Sequence, residues 1–102
     1  MSKNDIIFAI GETTDGKVLV AGVFAFYETH GLPLDVILSL CIQKNWMPCW
    51  MTLYKDMLKA GMKHDRILSK LEEAISDSFG KAFCDVVIFR LDNIFNPKDT
   101  TK

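Results

Sequence analysis

The chain has 102 residues, 49% of them hydrophobic and 11% aromatic, which fits one domain with a real core and excludes a disordered segment. Its 12 basic residues are balanced by 13 acidic ones, for a net charge of −1, and only Arg66 and Arg90 are arginines. That balance argues against non-specific binding to nucleic-acid phosphates, which needs Lys and Arg gathered on one face.

In chain order, the first apolar run is Ile6–Ile10, followed by Gly-Glu-Thr-Thr-Asp-Gly. The second, within residues 17–30, carries Val18, Leu19, Val20, Val23, Phe24, Phe26 and Tyr27. A run of this kind suits a buried helix closed by Gly31 or a buried strand paired with Ile6–Ile10 as a hairpin. The helix is preferred, with Asp15 as its cap and Gly22 as an internal cost of about 1 kcal/mol against Ala. Residues 34–44 follow as a helix started by Pro33, with Asp35 in its first turn, Val36, Ile37 and Leu40 inward and Cys41 at the margin of that face.

The pattern over 49–60 is clearer. Trp50, Leu53, Tyr54, Met57 and Leu58 fall at i, i+3, i+4, i+7 and i+8, one helical face, between Pro48 and Gly61. Residues 65–79 repeat the logic: Ile67, Leu68, Leu71, Ala74, Ile75 and Phe79 form a stripe, Asp65 suits the start and Gly80 the end. A connection of about four residues makes these two helices a hairpin. Residues 81–95 fit a helical face through Phe83, Val86, Val87, Leu91 and Ile94, while Val86–Phe89 suits a strand equally. The polar tail 96–102, interrupted by Pro97, is expected to be disordered.

The expected fold is therefore all-α: one domain over residues 1–95, a compact bundle of four to five short helices. The alternative is α+β, with strands near 5–10, 17–25 and 84–91 covering three helices.

Few residue patterns point to chemistry. The three cysteines, Cys41, Cys49 and Cys84, are odd in number and form no C-x-x-C, and no signal segment is evident; this is the usage of a cytoplasmic protein with buried thiols. The longest apolar run, Val18–Tyr27, is about half of a membrane span, so no membrane association is expected. Neither His30 nor His64 has a second ligand one helical turn away, so neither a metal nor another cofactor is expected; His30 reads as a helix end and His64 as an exposed turn residue. Cys49 or Cys84 beside a histidine would be the route to a nucleophile, but nothing marks either as activated. Glu72, Glu73, Asp77, Asp85 and Asp92 read as the solvated faces of helices. Gly11, Gly16 and Gly22 match no nucleotide fingerprint. The chain is accordingly not expected to be an enzyme.

Two binding readings remain. Residues 34–44 and 49–60 have the lengths of a helix-turn-helix, but its second helix offers only Thr52, Lys55, Asp56 and Lys59 to DNA. The segment Asn45–Met51 is more distinctive. Trp46 and Trp50 are four apart, as are Met47 and Met51, and both pairs cannot enter one narrow core. One reading buries Trp50 and lets Trp46 cover the core edge; the other makes Trp46, Met47, Trp50 and Met51 a partner-binding or self-association patch.

The runs Phe26–Asp35 and Ala74–Gly80 resemble segments of small phage or prophage proteins. The resemblance implies a small regulator, adaptor or inhibitor acting on a protein, and carries no site residues. The expected function is thus a non-enzymatic protein-interaction module, with a helix-turn-helix DNA-binding regulator as the alternative.

Overall fold

The computed structural model describes residues 6–95. Strands β1 (Phe8–Glu12) and β2 (Val18–Ala21) are followed by helices α1 (Val23–His30) and α2 (Leu34–Gln43), then by strand β3 (Trp46–Pro48) and helices α3 (Trp50–Lys59), α4 (His64–Phe79) and α5 (Lys81–Phe95). The protein is mostly helical, but the all-α expectation is corrected by a three-stranded sheet of order β1-β2-β3. The expected tail, 96–102, lies outside the described residues.

The first two strands form the hairpin that the α+β reading contained. β1 and β2 are antiparallel, with Phe8 opposite Ala21 and Glu12 opposite Val18, and the register shifts between Ala9 and Gly11. Their loop is held by side chains. Thr13 N donates to Lys17 O (2.8 Å), Lys17 N donates to Thr13 Oγ1 (2.9 Å), and Thr13 Oγ1 donates to Asp15 Oδ1 (2.5 Å). Asp15 therefore organises a turn and caps no helix. Its carboxyl is held below the usual aspartate value, first by the Thr13 hydroxyl and with help from the Lys17 ammonium. A carboxyl titrated by NMR should show Asp15 protonating below the ordinary range. Thr13→Val should move it back up; an unmoved titration would assign the effect to Lys17. The linked stability is present at neutral pH and lost as pH falls through the lowered pKa.

The run 17–30, expected as one helix, is a strand and a helix divided at Gly22. Gly22 has φ +87, and its carbonyl accepts from Phe26 N (3.0 Å) as α1 begins. The left-handed backbone turns the chain from the sheet into α1. A Cβ at this position would overlap the carbonyl oxygen of Ile6 and lie 3.3 Å from Ile7 Cα.

Parallel strands need a crossover, and α1 with α2 supplies it between β2 and β3. The pairing is Val18 with Trp46, Leu19 with Met47 and Val20 with Pro48. This strand occupies the link between α2 and α3. The segment expected as a helix-turn-helix turn is thus part of the sheet, and α2 packs principally on α4 while α3 meets α1.

The three central helices form where their patterns place them, but not every expected inward residue is buried: Val36 and Leu58 are exposed and Leu40 is half-buried. Pro33 caps α2, whose buried face runs through Leu34, Ile37, Leu38 and Cys41. Cys49, not Pro48, caps α3, which buries Leu53, Tyr54 and Met57. Asp65 lies in the first turn of α4, which buries Ile67, Leu71, Ala74 and Ile75. Helix α4 is the centre of the molecule, packed most extensively against α5 and α2. Gly80, at φ +95, is the only residue between α4 and α5. The chain reverses there without a loop, so α5 lies directly against α4.

Residues 81–95, where helix and strand were both open, are helical throughout, and the third strand of the α+β reading does not form there. The buried face of α5 carries Cys84, Val87 and Leu91. Its outer face is also apolar: Val86, Phe89 and Ile94 are exposed. A helix apolar on both faces has one face more than this fold covers.

Candidate functional site

That second face of α5 forms one wall of an open groove of about 600 Å³. Phe83, Val86, Arg90 and Ile94 supply this wall. The opposite side is built by Leu19 of β2, by Met47 and Pro48 of β3 and by Cys49, Trp50 and Met51 where α3 begins. Thr13, Thr14 and Asp15 of the hairpin loop complete it. The β2–β3 register explains the sheet's contribution: Leu19 and Met47 are paired, so their side chains share a face, and it is the one turned towards α5.

The structure brings three of the four expected patch residues to this groove and separates the fourth. Met47, Trp50 and Met51 line it. Trp46, adjacent to Met47 on a strand, points to the opposite face, where it packs against the core with its strand partner Val18. The Lys44 ammonium lies 5.4 Å from the centre of the Trp46 ring. Trp50 is half-buried, meeting Phe79 edge-on at 5.6 Å between ring centres and Phe83 at 6.1 Å. Met51 is 43% exposed, and across the groove Val86 and Ile94 are 55% and 51% exposed.

The cysteines differ in environment. Cys41 and Cys84 are buried, and Cys49 is half-buried in the groove wall. Burial pushes the Cys41 thiol up to about 11. Cys84 Sγ donates to Glu72 O (3.4 Å), and Cys49 Sγ accepts from Thr52 Oγ1 (3.1 Å). Among the described residues no cysteine is hydrogen-bonded to a histidine. Iodoacetamide at pH 8 is therefore expected to modify Cys49 in the native protein and all three cysteines in denaturant. Native modification of Cys41 at a comparable rate would contradict its burial.

A second constellation was invisible in the sequence. His64, expected in an exposed turn, is the first residue of α4, and its side chain is only 11% exposed. Its Nδ1 lies 2.7 Å from Tyr54 Oη on α3, and its Nε2 lies 2.8 Å from Asp92 Oδ1 on α5. Burial, and then the Asp92 carboxylate, raise the Tyr54 phenol above the usual tyrosine value. With a neutral imidazole, the phenol donates to Nδ1 and Nε2–H donates to Asp92. The Tyr54 ring stacks on Phe95, with centres 4.2 Å apart. The order of hydroxyl, imidazole and carboxylate is that of a nucleophile, its base and an orienting group. Tyr54, however, is only 1% exposed, so a substrate has no approach to its oxygen. The arrangement acts instead as a clasp joining α3, α4 and α5.

Among the described residues, no three of His, Cys, Asp and Glu are placed to hold a metal ion, and no helix is long and apolar enough to cross a membrane. The chain matches no family model, no curated protein and no solved structure, so its site rests on its own geometry.

Proposed function

We propose that the protein is a non-enzymatic interaction module, a small cytoplasmic regulator or adaptor of the kind found in phage, that binds a partner protein in the groove between α5 and the start of α3. The observation that carries this reading is the second apolar face of α5, which meets the exposed Met51 across an open groove. Isolated exposed apolar residues are ordinary on any surface; two facing apolar walls, one carrying Phe83 and the other Trp50, form a patch. Trp50 and two methionines add the residue types that supply binding hot spots and adaptable contacts.

The test separates Met51 from Trp46. Met51→Glu should leave the melting temperature nearly unchanged, because the side chain is largely exposed, and should abolish capture of the partner from nuclease-treated lysate. Trp46→Ala should cost about 2 kcal/mol of stability, since it removes packing from the core edge. A partner retained equally by wild type and Met51→Glu would remove the groove from the interaction. Salt-sensitive retention of nucleic acid, lost with Lys55 and Lys59, would move the assignment to DNA binding.

A further inference from the structure

We infer that the groove's occupant is an amphipathic α-helix of a partner protein that carries an acidic side chain on one flank of its apolar stripe, a deepening that rests on the interaction reading above. Three features of the groove select this occupant. The first is length. The α5 wall runs from Phe83 to Ile94, roughly 16 Å at the rise of an α-helix, or three turns of a second helix laid alongside it. The second is the backbone bordering the groove. An extended peptide gains its affinity by adding to a sheet edge. The strand at this groove, β3, has three residues, and one of them is Pro48, which offers no N–H. The groove binds through side chains, which is how a helix is received.

The third feature is charge. The groove is lined by two charged side chains, Asp15 of the hairpin loop and Arg90 of α5. Asp15 is already matched, by Thr13 Oγ1 and by Lys17 Nζ at 3.5 Å. Arg90 makes no ion pair among the described residues. It stands between Val86 and Ile94, one helical turn from each, so its guanidinium borders apolar surface that an occupant would desolvate. A carboxylate on the occupant would meet it with charge-assisted, two-pronged hydrogen bonds, and a lysine there would be repelled. The groove is also open: Met51, Val86 and Ile94 on its rim remain about half exposed, whereas a pocket for a small lipophilic molecule encloses most of its ligand.

The probe is a pair of synthetic helical peptides of about 15 residues, with leucines at i, i+3, i+4 and i+7 and either glutamate or lysine flanking that stripe. Binding is read on the intact protein from the methyl NMR signals of Met51, Val86 and Ile94. The glutamate peptide should bind at least about tenfold tighter than its lysine twin, a difference of about 1.4 kcal/mol. In Arg90→Met the two peptides should bind alike. Equal binding of both peptides to the wild-type protein would overturn the acidic occupant while leaving the groove an interaction site. Failure of both peptides, with the same methyl signals shifted by dodecanoate or by the protein's own concentration, would overturn the helix in favour of a lipophilic ligand or a second copy of this chain. The Met51→Glu capture experiment decides the broader interaction reading independently.

Discussion

Replacing Gly22 by alanine is expected to cost about 3 kcal/mol and to lower the melting temperature by about 15 °C. The cost has two sources. The left-handed backbone at φ +87 disfavours any side chain by about 1–2 kcal/mol. The added Cβ would also overlap the Ile6 carbonyl, and overpacking of this kind costs about 1–3 kcal/mol. Backbone is the obstacle, so no rotamer change relieves it. Gly31→Ala is the internal control. Gly31 also has positive φ, at +68, but a Cβ there meets nothing within 4 Å. It should lose only about 1 kcal/mol. Thermal or urea unfolding of the two variants isolates the overlap as their difference; equal losses would mean that the segment at Ile6 moves aside freely.

Gly22 also shows why the beginning of the fold differs from the helix that its sequence suggests. The run Val18–Tyr27 is apolar throughout, so neither a period of two nor one of 3.6 stands out. A glycine inside such a run reads as a flaw in a helix, whereas here it is the pivot between two elements. Helices α2, α3 and α4 were legible because each combines an amphipathic stripe with punctuation at its ends: Pro33, Gly61, Asp65 and Gly80. Strand β3 was not legible. Three residues have no measurable period, and Trp46–Pro48 is a strand only because β2, more than 25 residues earlier, pairs with it.

Half of the candidate site could be read from the chain, and the reason for the missing half is geometric. Met47, Trp50 and Met51 stand out by residue type within one short segment. The α5 wall does not, because Val86 and Ile94 are interleaved with the core residues Val87 and Leu91, and the sequence of a helix with apolar residues on more than one face does not say which face is covered. Helical spacing groups Trp46 with its neighbours. On a strand, adjacent side chains point to opposite faces, and Trp46 packs against the core with its strand partner Val18 while Met47 turns to the groove.

His64→Ala is expected to cost about 3 kcal/mol, and Tyr54→Phe only about 1 kcal/mol, although the two residues share a hydrogen bond. The asymmetry follows from what each variant leaves behind. Removing the phenol oxygen frees His64 Nδ1 at a side chain that still touches water, with its bond to Asp92 intact. Removing the imidazole leaves the Tyr54 hydroxyl buried with its partner gone, deletes the bond to Asp92 and opens space beside an aromatic ring. The clasp also holds α5, and α5 is the wall that carries Val86, Arg90 and Ile94. His64→Ala should therefore broaden the methyl signals of Val86 and Ile94 and weaken peptide binding in the groove, while Tyr54→Phe should leave both close to wild type. Equal stability losses in the two variants, or an undisturbed α5 in His64→Ala, would show that packing against α4 alone fixes the groove wall.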